Sequence, residues 1–331
     1  MAAESTYIIL FSSKDHTTIH RGLLKILQRR LNIVRTILVA SVGVLALHEL
    51  AVPRPQITGG IAPPPPMRQQ LSIALRLPDT LSFCGEPVPM FAPHIRAQAE
   101  REFYLMMQDQ GQLIINIKRA GIYFPLFEAI AKQDSAPDDL KYIAVIESAL
   151  RNARSTKDAF GIWQFIEATG KRFGLQIDQY VDERLNVVKA THAAYAHMCE
   201  GRNMLGSWTM GAAGYNMGPT NLAEQAAYQQ DSNFYNLFLN EETSRYIFRA
   251  AVMKELMSHH DLYGIHLDES EIYRPDSVIV VPVDDAIEDL QSWCVVHKTT
   301  YKWVKTFNPW ILKRSLPKSH GGPWEIVVPV F

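Results

Sequence analysis

Apolar residues return every three or four positions through most of the chain beyond residue 90, the spacing that gathers them on one face of a helix. This pattern predicts helices over Ile95–Gln108, Gln112–Ala120, Tyr123–Gln133, Asp138–Leu150, Ile162–Phe173, Val187–Cys199, Thr209–Tyr215 and Glu241–His259. Alternation with β-branched residues is almost absent before residue 277, so the centre of the chain reads as a helical domain. The tail changes character. Ser277–Val283 and Trp324–Val330 are β-rich, Ala286–Phe307 is broadly helical, and Gly321-Gly322-Pro323 marks a turn before the last run. Two strands flanking helices are expected there.

At the other end, Lys25, Arg29, Arg30 and Arg35 precede an uncharged apolar run from Ile37 to Leu47, the order of an export signal. A spanning helix needs about 20 apolar residues and a signal core about 7–15, so the length of the run favours a signal over a membrane anchor. The basic cluster lies further from the first residue than in an ordinary signal, and a translation start near Val34 would resolve this. Pro53, Pro55 and Pro63 to Pro66 then give an extended spacer. The expected organisation is an amino-terminal extension over 1–52, a spacer over 53–69, a catalytic domain over 70–270 and a small module over 277–331.

Composition narrows the chemistry. Lys and Arg total 33 against 34 Asp and Glu, so no global basic field exists to hold nucleic acid. Cys84, Cys199 and Cys294 are far apart and lack CxxC spacing, which predicts free, buried thiols rather than a zinc site or a disulfide framework. His192, His197, His259 and His260 lack metal-ligand spacing and read as solvated or packing residues. No P-loop, dinucleotide-binding glycine pattern or nucleophile elbow appears, and neither metal nor cofactor is expected.

One acidic residue breaks the helical pattern. Pro137, Asp138 and Asp139 make a helix start, with acidic side chains at the positive end of the dipole. Leu140, Ile143, Ala144 and Glu147 then fall on one face, because about 100° per residue brings position 147 back over position 140. A carboxylate thus continues an apolar stripe. Burial disfavours its ionised form and raises its pKa, which suits a proton donor near neutral pH. The bland alternative is a glutamate at the core rim, reaching water or Arg151.

Glu147-Ser148, Gly161-Ile162-Trp163-Gln164, Tyr215-Asn216-Met217-Gly218 and Glu242-Thr243-Ser244-Arg245-Tyr246, in that order and at those separations, resemble the successive motifs of the soluble-lytic-transglycosylase catalytic domain. Phe83-Cys84-Gly85-Glu86-Pro87-Val88-Pro89, Lys118 to Pro125 and Pro137 to Tyr142 extend the likeness, which runs from about residue 75 to 270. The resemblance implies a mainly α, lysozyme-like helical domain with Glu147 as its single acid and base. It further implies substrate contacts from Ser148, Ser155, Gln164, Tyr215, Asn216 and Tyr246. Gly214 departs from the alanine or serine usual before Tyr-Asn, and the stretch from Glu147 to Ser155 is about one residue short.

A sugar polymer offers hydroxyls and N-acetyl groups, so amide and phenol partners beside aromatic faces suit its groove, and Trp163 could add such a face. Trp163 and Phe165 read more readily as core, while Tyr246 has an alternative reading as helix packing and Asn216 as a helix end. The implied substrate is the glycan strand of peptidoglycan, in the periplasm or cell envelope. Ordinary glycosidases need two carboxylates. With one, Glu147 can protonate the leaving oxygen and then deprotonate the sugar's own C6 hydroxyl, closing a 1,6-anhydro ring. Asp158, Asp178 and Asp182 are candidates for a second carboxylate, although Asp182-Glu183-Arg184 reads as a solvated, self-paired helix start. A lysozyme-like hydrolase and a non-catalytic wall-binding protein are the competing readings.

The tail resembles a LysM-type glycan-binding module through Thr300 to Pro309 and Glu325 to Pro329, without the usual opening Gly-Asp-Thr turn. This adds a small α+β part to the expected fold, as glycan binder or structural appendage. Since every candidate catalytic residue precedes residue 250, the tail is expected to be dispensable for chemistry.

Overall fold

The computed structural model describes residues 75–319 and 321–330. The basic cluster, the apolar run, the alternative start and the proline spacer lie outside them. No helix among the described residues is long and apolar enough to cross a membrane.

A short hairpin of β1 (Leu81–Phe83) and β2 (Glu86–Val88), absent from the expected pattern, opens the fold. The helices α1 (Pro93–Gln108) and α2 (Gln110–Gln133) follow. The latter is one helix where two were expected. Pro125 lies inside it, forfeiting one backbone hydrogen bond, and packing holds the turn together on both sides: Leu113, Ile117, Phe127 and Ile130 are all buried.

The predicted helix over 138–150 begins as a 3-10 turn, Asp138–Leu140, and continues as α3 (Lys141–Ser148). It stops because Ala149 and Leu150 both turn left-handed, with φ of 54° and 57°. Next come the two-residue strands β3 (Ala153–Arg154) and β4 (Phe160–Gly161), then α4 (Glu167–Arg172). The long helix expected over 162–173 does not form at its start. Gly161 and Gln164 adopt positive φ, and Phe160 and Phe165 exchange backbone hydrogen bonds of 3.0 and 3.1 Å around the turn.

The rest of the helical part is α5 (Val187–Leu205), α6 (Trp208–Met217), α7 (Pro219–Gln229) and α8 (Glu241–Ser258). Of these α7 was not foreseen. Asn186, Ser207 and Asn240 cap α5, α6 and α8 by accepting a backbone N–H three residues ahead. Glu86 in β2 accepts from the Trp208 and Thr209 amides, pinning the hairpin to the positive end of α6. One continuous apolar core unites these elements, with Phe83, Phe103, Phe127, Ile143, Trp163, Tyr195 and Tyr246 essentially closed to solvent.

The tail is β5 (Val278–Val283), α9 (Leu290–Val296), α10 (Tyr301–Phe307) and β6 (Trp324–Pro329). The two strands pair antiparallel from Val278 opposite Pro329 to Val283 opposite Trp324, and a turn through Lys298 divides the expected helical stretch in two. This module has its own core of Leu290, Cys294, Val304, Ile311 and Ile326, joined by Val181 from the helical part. The three cysteines are free thiols, Cys294 buried and the other two half-buried.

The segment entering the tail is locked onto α2. The Tyr273 amide donates to the Lys118 carbonyl at 3.1 Å, and a Cβ at Gly121 would sit 2.2 Å from the Tyr273 carbonyl oxygen. Gly121→Ala should therefore destabilise the fold by about 1–3 kcal/mol, as overpacking does. The check is a lower midpoint in equilibrium urea unfolding; an unchanged midpoint would show that the segment is not held there.

Candidate active site

Glu147 is the last residue but one of α3, where the apolar stripe runs out into an open groove of about 660 Å³. The helix brings it there on a buried base: Leu140, Ile143 and Ala144 are wholly enclosed. Lys254 and the Cys84 amide hold Asp139 at the helix start, both at 2.7 Å. Two arginines serve the helix end, where carbonyls lack intrahelical partners. Arg249 donates to the Ile146 carbonyl at 2.8 Å and Arg119 to the Ala149 carbonyl at 3.1 Å.

The Tyr246 hydroxyl, on α8, donates to Glu147 Oε1. Burial raises the pKa of Glu147 above the usual carboxylate range; the Tyr246 bond and the Arg249 charge oppose this, and the Glu242 charge adds to it. Tyr246 is itself held far above the usual phenol range, by burial first and then by Glu147, so its hydroxyl stays a donor. Arg151 is not the partner of Glu147: its Nε donates to the Ser148 carbonyl.

Ser148 also departs from expectation. It is buried, and its hydroxyl donates to the Ile162 carbonyl at 2.7 Å while accepting the Arg151 amide at 3.2 Å. It fastens the end of α3 to the 161–165 turn instead of facing the groove. Trp163 is likewise enclosed, with its indole N–H on the Thr191 hydroxyl at 2.9 Å and its ring against Phe127 and Tyr195. It is core, as one of its two readings held. Phe165 is also buried, although its edge borders the groove.

Ser155, Gln164, Tyr215 and Asn216 all line the groove with Glu147. The Ser155 hydroxyl accepts the Lys157 and Ala159 amides at 3.1 and 3.0 Å, an arrangement that leaves its proton for a ligand oxygen. Gln164 sits at φ 54° and donates its amide to the Ala153 and Gly161 carbonyls at 3.0 and 2.7 Å. Tyr215 donates to the Trp163 carbonyl at 2.7 Å. Asn216 donates to Glu242 at 3.2 Å and accepts from the Thr243 hydroxyl at 2.7 Å. Tyr246 reaches the site only through the carboxylate of Glu147.

Several groove residues were not singled out from the sequence. Glu242 belongs to the last quoted motif yet attracted no role there. It bonds Lys157 and Asn216, which hold its carboxyl below the usual range and keep it ionised. Thr169, Arg172 and His197 also line the groove. His197, read from the sequence as solvated or packing, packs between Phe173 and Tyr215 with centroids 4.7 and 5.0 Å away. Burial, with the Arg172 charge, pushes its pKa down to about 4, so the ring is neutral at physiological pH.

The other carboxylates considered as partners lie elsewhere. Asp158 pairs with exposed Arg154, and Asp178 accepts the Tyr180 and Val181 amides. Asp182, Glu183 and Arg184, expected to be solvated, are only 6, 2 and 5% exposed. The self-pairing of Asp182 with Arg184 is present, but the tail covers it.

Comparison with known proteins finds matches on both parts of the chain. Residues 124–238 match the transglycosylase SLT domain, and residues 280–330 match the soluble lytic transglycosylase C-terminal LysM-like domain. The chain is 27% identical over 258 residues to membrane-bound lytic murein transglycosylase D of Escherichia coli K12, and equally to that of Escherichia coli O6:H1. The matched region is 76% of this chain but only 56% of those relatives. Among solved structures, the lytic transglycosylase Slt of Pseudomonas aeruginosa, an inactive mutant, aligns with 46% of this chain and 26% of its own at 16% identity, with a TM-score of 0.33. The chain thus matches a transglycosylase SLT domain over a region that includes Glu147, Tyr215 and Asn216, and a LysM-like C-terminal domain in its tail.

Proposed function

We propose that this protein is a peptidoglycan lytic transglycosylase of the cell envelope, cleaving the β-1,4 bond between N-acetylmuramic acid and N-acetylglucosamine with Glu147 as its single acid and base. The observation that carries the reading is a protonatable carboxylate with raised pKa, hydrogen-bonded by Tyr246 and opening onto a groove of amide and hydroxyl groups. The curated relatives, named for murein transglycosylase activity, support it.

In this mechanism Glu147 gives its proton to the glycosidic oxygen as the bond to C1 of the muramic residue breaks. The substrate's N-acetyl oxygen covers the cation. Glu147, now a carboxylate held by Tyr246, takes the C6 hydroxyl proton while O6 closes on C1. One group serves both steps, so no water is consumed and the proton balance is zero. Glu242 is the other carboxylate on the groove, but its bonds to Lys157 and Asn216 favour a positioning role over proton transfer. The expected setting is the periplasm, reached through the amino-terminal segment.

Glu147→Gln should keep the fold and lose about 10²–10⁴ in cleavage rate, the usual contribution of a general acid or base. Mass spectrometry of peptidoglycan digested by the wild type should show 1,6-anhydro ends, lighter by one water than hydrolysed ends. Reducing ends alone would make the protein a muramidase, and undiminished cleavage by the variant would remove Glu147 from the mechanism.

The same residue links stability to pH. A carboxyl whose pKa is raised on folding stabilises the fold below its unfolded value, near 4.5, and loses that contribution as pH rises through its folded value. Glu147→Gln does not titrate, and its amide oxygen can still accept from Tyr246. It should melt at a higher temperature than wild type at pH 7.5, with the difference closing as pH falls toward 4.5. Thermal melts across this range test it; a variant less stable than wild type at pH 7.5 contradicts the raised pKa.

A further inference from the structure

The groove wall formed by residues 155–165 has little secondary structure of its own: two residue pairs join β3 and β4, and one further bridge pairs Phe160 with Phe165. Arg184 lies behind it. The guanidinium grips Asp182 with two bonds of 2.9 and 2.7 Å and donates from Nη1 to the carbonyls of Asp158 and Phe165, both at 3.3 Å. It also lies over the Phe160 ring, 4.4 Å from its centre. Gly161 turns directly against the Arg184 backbone, where a Cβ would lie 2.0 Å from the carbonyl oxygen. One planar cation thus bonds two carbonyls of this wall, three residues beyond Ser155 and one beyond Gln164.

The pair is closed from the other side by the tail. The Asp182 amide donates to the Trp310 carbonyl at 2.9 Å, and the Leu312 amide donates to the Tyr180 carbonyl at 2.7 Å. Between these bonds Val181 pairs with Ile311 and is fully buried in the module's core. The segment 180–184 therefore has one face in the module and the other against the groove wall.

We propose that Arg184 is a positioning residue for the 155–165 wall of the groove, and that the C-terminal module holds it in place through the Tyr180–Asp182 segment. The tail then contributes to the chemical step, reversing the expectation that it is dispensable. This rests on the function proposed above only for its kinetic consequence. Lysine cannot replace the fork, since an ammonium lacks the planar geometry that meets Asp182 and two carbonyls at once.

The test uses the full chain and two variants. Arg184→Lys removes the fork and keeps the charge. Leu312→Pro removes the amide that donates to Tyr180, at an exposed position outside the module's core. Hydrogen exchange read by mass spectrometry should show amides of 155–165 exchanging faster, about tenfold or more in Arg184→Lys and less in Leu312→Pro, with α3 and α8 unchanged. Cleavage of soluble glycan oligomers should lose about tenfold in kcat with KM within a factor of about two, as loss of alignment rather than of binding predicts. Unchanged exchange in the loop, or acceleration spread evenly over the helical domain, overturns the proposal, as does an unaltered kcat. Should wild type cleave no glycan, the proposed function falls while the exchange pattern still decides for or against the brace.

Discussion

A carboxylate at the open end of a buried helix is the constraint around which the helical part is arranged. Glu147 cannot retreat into water, because the stripe below it, Leu140, Ile143 and Ala144, fixes the rotation of α3. Nor can it be neutralised by a direct arginine partner, since Arg119 and Arg249 are engaged with backbone carbonyls at the helix end. What it receives is one neutral donor, Tyr246, and a partial share of the Arg249 field. Burial outweighs both. The result is a carboxyl that holds its proton longer than a solvated one, which is the property a general acid requires.

Much of the surrounding motif chemistry holds the groove in shape as well as lining it. Ser148 ties the helix end to the 161–165 turn, Tyr215 holds the Trp163 carbonyl, and Gln164 bonds two carbonyls of its own loop. With Trp163 fixed by Thr191, the floor of the groove is a network of side chains bonded to backbone. Such networks are costly to break piecemeal, because each removal strands a buried polar group. The same reasoning extends to Arg184, whose charge is buried beneath the loop and compensated by Asp182.

What the sequence made legible follows from periodicity. Glu147 was readable because Leu140 and Ile143 mark its face, and the tail strands because they are β-rich runs bounded by turn residues. Periodicity failed where backbone conformation departs from the regular states. The stretch after Gly161 carries a helical pattern, yet Gly161 and Gln164 at positive φ turn the chain back before α4 can start. The gap expected between Ala120 and Tyr123 does not form, because one helix runs through from Gln110 to Gln133 with Pro125 inside it. Asp182, Glu183 and Arg184 look solvated in sequence, since only tertiary structure reveals that the groove loop lies over Arg184 and that the tail bonds the Asp182 amide. Placement of His197 and Arg172 in the groove lining was beyond local pattern altogether, because α4 and α5 meet there only after folding.

The protonation of Glu147 decides whether it can act as a general acid. Titration of its carboxyl carbon by NMR, assigned by difference from Glu147→Gln and repeated in Tyr246→Phe, isolates the two opposing effects. The midpoint should lie above the ordinary value of 4.5 in wild type and rise further when the Tyr246 hydroxyl is removed. A midpoint at or below 4.5, or one that falls in Tyr246→Phe, would contradict the account.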